Sequence, residues 1–130
     1  MNRQEMIARI RENGFDREGY WLVAGGAMLL YGIRRETRDI DLGCSSERAR
    51  ELLDRGLPES RMRDGTRRIE AAEDIEIFEN WLCGGVTTFD GIPVITLEGL
   101  VEMKKRLGRP KDMADLELIW QYARERGIRL

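Results

Sequence analysis

The sequence predicts a single α/β (α+β) domain: a mixed β-sheet flanked by helices, closed by two C-terminal helices. Three observations predict it. Short apolar runs with a period of two alternate with segments of helical period along the first half. A group of strand-like runs follows between residues 61 and 95. The last third then reads as helix, turn, helix. At 130 residues the chain is one domain long, and it can build a core without disulfide staples.

The elements follow in order. From Asn2 to Asn13, Met6, Ile7 and Ile10 recur at helical spacing, and Gly14 supplies a left-handed stop. Tyr20-Trp21-Leu22-Val23-Ala24 is apolar throughout, as a buried strand must be. Gly26 to Ile33 is a short apolar helix ending near Gly32. Asp39 to Cys44 alternates acid and apolar, the pattern of a half-buried strand. Ser46 caps a helix whose apolar residues Ala49, Leu52 and Leu53 run up to Gly56. Pro58 then breaks the chain. Asp74-Ile75-Glu76-Ile77-Phe78 is the clearest of the middle strands. Val86–Phe89 and Ile92–Ile95 form a hairpin through Asp90-Gly91. Thr96 caps a helix carrying Leu97, Leu100, Val101 and Leu107 on its apolar face. Pro110 opens the last helix, which turns Met113, Leu116, Leu118, Ile119 and Tyr122 inward and ends at Gly127.

Composition removes several chemistries. There is no histidine, so serine–histidine and cysteine–histidine catalysis and histidine-ligated zinc are excluded. The two cysteines, Cys44 and Cys83, lack metal-type spacing and read as small apolar groups in a reducing compartment. No apolar run reaches the length of a membrane span, and the N-terminus lacks a signal peptide's apolar stretch. Together these predict a cytoplasmic protein without membrane contact. Net charge is −2, so no general polybasic surface exists. Positive charge is instead concentrated in clusters: Arg34, Arg35, Arg38; Arg61, Arg63, Arg67, Arg68; and Lys104, Lys105, Arg106, Arg109, Lys111. Basic clusters beside acids suit a polyphosphate, although each also suits a solvated face.

The chemistry concentrates in Gly25-Gly26 and Asp39-Ile40-Asp41. On a strand, Asp39 and Asp41 share a face with Cα atoms roughly 6–7 Å apart. Like charges held that close are relieved by a proton or a cation, and Mg²⁺ takes carboxylates together with substrate phosphates. Glu76 repeats the apolar–acid–apolar pattern and is the third acid, with Asp74 as its rival. On neighbouring strands, three such acids could hold two ions about 3.5–4 Å apart. The glycines allow close backbone approach to phosphates at a helix start, or simply a tight strand-to-helix turn.

These residues resemble the nucleotidyltransferase fold of the DNA polymerase β superfamily. That fold carries Gly-Gly or Gly-Ser after its first strand, Asp-x-Asp on the next, and a third acid on a later strand. Arg35-Glu36-Thr37-Arg38-Asp39-Ile40-Asp41 resembles a stretch of its small prokaryotic members. Leu100-Val101-Glu102-Met103-Lys104, Gly108-Arg109-Pro110-Lys111-Asp112 and Asp115-Leu116 resemble the tail of the same group, which includes AbiEii-type toxins. The resemblance implies transfer of a nucleoside monophosphate from an NTP to an acceptor hydroxyl, with release of pyrophosphate. Asp39 and Asp41 would bind Mg²⁺ (or Mn²⁺), and Glu76 would bind the catalytic ion and help activate the acceptor. Gly25, Gly26, Arg35 and Lys104 would position phosphates, and Thr37 would steady the loop or touch the nucleotide. Asp112 and Asp115 would tie the last helix through caps and ion pairs. The acceptor implied is a small molecule, a tRNA end or a protein hydroxyl, and an antitoxin-like partner belongs to the same expectation. A non-catalytic nucleotide-binding protein and a partner-binding subunit are the other classes. The resemblance has two departures: Glu76 stands where many relatives have Asp, and the chain leaves little room for an added acceptor-binding domain.

Overall fold

A computed structural model describes all of residues 1–130. The elements are α1 (Arg3–Glu12), β1 (Tyr20–Val23), α2 (Ala24–Tyr31), β2 (Ile40–Cys44), α3 (Ser46–Asp54), β3 (Glu59–Arg61), β4 (Arg67–Ala72), β5 (Ile75–Glu79), β6 (Val86–Phe89), β7 (Ile92–Ile95), α4 (Leu97–Leu107) and α5 (Pro110–Glu125). The mixed sheet has seven strands in the order β3-β4-β5-β2-β1-β7-β6. β2 runs antiparallel to β1 and parallel to β5, and β1 runs parallel to β7.

Local chemistry sets most boundaries. Asn2 and Glu5 form a reciprocal capping box at α1. Thr96 accepts from the Gly99 N–H at the start of α4. Asp90 and Gly91 both adopt positive φ, 51° and 76°, the turn that matches hairpin twist between β6 and β7. Period two in the central strands sends Leu22, Ile40, Leu42, Ile75 and Ile77 into a continuous core with Met6, Ile10, Leu30 and Leu52. Tyr31 buries its ring there and donates its hydroxyl to the Ile95 carbonyl at 2.7 Å. No helix is long and apolar enough to cross a membrane.

Five expectations are corrected. β1 ends at Val23 and α2 begins at Ala24, so Ala24 leaves the strand expected for it and Gly25 joins Gly26 in the helix's first turn. β2 begins at Ile40, which leaves Asp39 just outside the strand. Ser45, not Ser46, caps α3, accepting from the Arg48 N–H. In α5, Met113 and Leu118 face solvent, and the inward side is Asp112, Asp115, Leu116, Ile119 and Ala123. Two charged positions occupy the inner stripe because a lysine lies opposite them; Leu107 of α4 is likewise exposed.

A candidate active site at the open end of strand β2

Because Ile40, Leu42 and Cys44 point into the core, Asp41 and Gly43 point to the other face of the sheet. Gly43 is required there: a Cβ would sit 1.9 Å from Nε1 of Trp21, whose ring lies across it. That indole donates to the Trp81 carbonyl at 2.9 Å, and Trp81 packs on Phe78 with ring centroids 4.8 Å apart. Asp41 pairs in register with Val23 on one side and Glu76 on the other. Its carboxyl is pushed up to about 6, by burial first and then by Glu76 and Asp39; Lys104 and Lys111 oppose the rise. Asp39 is exposed at the mouth of the strand, and its carbonyl accepts from the Thr37 hydroxyl at 3.0 Å.

The parallel pairing of β2 and β5 puts Glu76, not Asp74, in register with Asp41. Asp74 lies in the turn before β5, where Arg9 grips it through Nε at 3.1 Å and Nη2 at 2.6 Å and lowers its pKa. It is committed to α1, and Glu76 is the acid beside Asp41. Glu76 is itself engaged, with its carboxylate 3.3 Å from Arg68 Nε. No three acidic or thiol side chains stand close enough together to form a ready-made cation site.

A cleft of about 710 Å³ opens over this face, lined by Gly25, Thr37, Asp39, Asp41 and Lys104. Glu76, Gly26 and Arg35 do not line it. Gly26 instead faces the core: a Cβ there would lie 2.8 Å from Leu22 Cδ1 and 3.3 Å from Met6 Sδ, so this glycine serves helix packing. Gly25 faces the cleft, where a Cβ would meet Arg34 Nη1 at 3.0 Å and Thr37 Oγ1 at 3.4 Å. The turn into α2 holds Ala24 at φ 56°, an uncommon conformation for alanine, and Val23 offers no side-chain cap. The first-turn N–H groups of α2 therefore have no capping side chain, and the helix dipole places partial positive charge there.

Arg35 is exposed, while its neighbour Arg34 reaches the cleft and pairs with Asp115. Lys104 is buried, its Nζ 2.9 Å from Asp115 and 3.5 Å from Asp112. Asp112 in turn accepts from Arg109 through backbone N–H and Nε, which keeps its carboxyl low despite complete burial. Three cations thus surround two aspartates and leave an excess positive charge beside Asp41. Sequence reasoning passed over Arg34, Arg38, Lys111, Phe78 and Trp81 as lining residues. The three basic residues lay in clusters it named, but clustering carries no direction.

No protein-family model matches the chain, and neither a curated protein nor a solved structure matches it.

Proposed function

We propose that the protein is a divalent-cation-dependent nucleotidyltransferase that moves a nucleoside monophosphate from an NTP to an acceptor hydroxyl. One observation carries the reading. Asp41 stands in register with Glu76 and next to Asp39, and it opens into a cleft that also contains the uncapped start of α2 and Arg34. The donor set fits Mg²⁺ or Mn²⁺ in kind. It consists of hard carboxylate oxygens; burial first, and then the charges of Glu76 and Asp39, raise the pKa of Asp41, and a cation would relieve the repulsion. Asp39 and Asp41 would hold the ion, with Glu76 joining on release from Arg68. When bound, it would neutralise phosphate charge and lower the pKa of the attacking hydroxyl.

The chain's own residues do the rest. The N–H groups at Gly25 and the Arg34 guanidinium bind the departing phosphates. Lys104 holds the wall of the cleft through Asp112 and Asp115, with its charge turned toward Asp41. The acceptor oxygen attacks the α-phosphorus as the bond to the bridging oxygen of the β-phosphate breaks. Glu76, once released from Arg68, accepts the hydroxyl proton, and pyrophosphate leaves.

The test is incubation with each labelled NTP, Mg²⁺ or Mn²⁺, and total cell extract, followed by separation of RNA, protein and small molecules. Label in one fraction, absent with Asp41→Asn, is the expected result. No label under any metal overturns the reading. The Arg68–Glu76 contact favours a second reading, a non-catalytic nucleotide-binding protein, which would bind NTP without releasing pyrophosphate. If the protein acts as a toxin with an antitoxin-like partner, growth arrest on expression would be relieved by Asp41→Ala.

A further inference from the structure

The two edges of the sheet differ. The β3 edge is three residues long and carries Glu59 and Arg61, charges that discourage strand addition. The β6 edge, Val86-Thr87-Thr88-Phe89, carries no charge and no proline, and all four residues are exposed. Apart from its short length of four residues, β6 shows no charge, proline or bulge to protect it as an edge.

The ladder shows which groups face outward. The Thr96 N–H donates to the Gly85 carbonyl at 2.9 Å. Bonded and non-bonded pairs alternate in an antiparallel ladder. Thr87↔Val94 and Phe89↔Ile92 are therefore the bonded pairs, and Val86↔Ile95 and Thr88↔Pro93 the non-bonded ones. Pro93, which has no N–H to offer, fits the non-bonded position. The N–H and C=O groups of Val86 and Thr88 thus point away from β7, toward solvent.

We infer that β6 is a dimerisation edge that pairs antiparallel with β6 of a second copy, about a two-fold axis normal to the sheet at Thr87. The strand is complementary to itself in that register. Val86 and Thr88 of one copy meet Thr88 and Val86 of the other, giving about four backbone hydrogen bonds. Thr87 meets Thr87 at the centre, a favourable cross-strand pair. Phe89 falls opposite Gly85, where a large ring covers a residue without a side chain. The charges nearest the seam, Asp90 in the turn beyond the strand and Arg3 over the Phe89 ring, pair with each other within one chain. No like charges therefore meet.

A two-fold normal to the sheet keeps each face on its own side. The dimer is one fourteen-stranded sheet with both clefts open on the same face. Seven strand spacings separate the two β2 strands, about 34 Å. The charged β3 edges then lie outermost, so growth stops at two copies. This inference is independent of the transfer chemistry.

Sedimentation equilibrium over a wide concentration range tests it, with Thr88→Pro and Val86→Lys as edge variants and circular dichroism as the check on folding. The expected result is a monomer–dimer equilibrium in the wild type that either folded variant abolishes. The register is tested separately in a Cys83→Ser background under mild oxidation. Thr87→Cys should form a disulfide-linked dimer, since the central pair is non-bonded with Cα atoms about 4.5 Å apart, whereas Thr88→Cys should not. A wild type that stays monomeric at the highest concentration overturns the inference, leaving the edge to another occupant. So does a dimer that survives both edge variants, or a Thr88→Cys variant that crosslinks more readily than Thr87→Cys.

Discussion

At the scale of single residues, Asp41 is where folding and chemistry conflict. Burial and two neighbouring acids raise its carboxyl to about 6. The folded state therefore holds this proton to higher pH than the unfolded chain does. Its contribution to stability is complete below the ordinary carboxylate range and is lost as pH rises through about 6. Urea titrations across pH 4–7.5 without divalent cation should show stability falling with rising pH, and Asp41→Asn should flatten that slope. At neutral pH the same substitution should stabilise by about 1 kcal/mol, because it removes a buried carboxylate charge set beside two other acids. Turnover should fall at least ~100-fold with Asp41→Asn or Asp39→Asn, and Asp39→Asn should leave the unfolding midpoint nearly unchanged, because exposed charges stabilise little. A large stability loss for Asp39→Asn would make that residue structural.

Neighbouring arginines divide the same way. Arg34 lines the cleft and Arg35 does not. Isothermal titration with NTP should register a weaker affinity for Arg34→Gln and none of that loss for Arg35→Gln.

At the scale of elements, the first turn of α2 contains two glycines with different duties. Gly26→Ala pushes a methyl to 2.8 Å from Leu22 Cδ1, an overpacking cost of about 1–3 kcal/mol that exceeds the helix-propensity gain. Gly25→Ala displaces only the end of Arg34, so the unfolding midpoint should hold while NTP affinity drops. The α4–α5 pair depends on Lys104. Lys104→Ala strands Asp112 and Asp115 in the interior, with Arg109 and Arg34 as their remaining partners. A loss of about 3 kcal/mol in urea unfolding is expected. If Lys104→Ala proves as stable as the wild type, the lysine is a free ligand group rather than a strut.

At the scale of the whole molecule, ligand binding should be visible as stability. On the proposed function an NTP with Mg²⁺ would bind only the folded chain, so the melting temperature should rise with ligand concentration and stay unmoved in Asp41→Asn. The layout that permits this was largely legible along the chain. Caps, glycine stops and period two marked all five helices, the Asp90-Gly91 hairpin and the central strands. The alternation of Ile40, Asp41 and Leu42 also told which side of β2 carries the acid. Which acid lies beside Asp41, Glu76 or Asp74, was not legible from alternation, because it turns on Arg9. That arginine is 65 residues away in the chain, and it removes Asp74 by a two-pronged ion pair. Met113 and Leu118 misled for a related reason: apolar type marks a helix face only when the partner helix presents nothing stronger, and Lys104 drew two aspartates inward instead.

What the chain determined alone is local: which segments form strands and helices, to within a residue or two at their starts, that Asp41 turns away from the core, and that histidine chemistry is absent. These depend on backbone sterics, capping and side-chain period, all of which act within a few residues. What only the tertiary structure decided is which groups meet. The pairing of Asp41 with Glu76, the capture of Asp74, the division of labour between Gly25 and Gly26, and the turning of Arg34 rather than Arg35 into the cleft are contacts between distant segments. Their outcome depends on charge and volume summed over the whole packed interior, which no short stretch of sequence encodes.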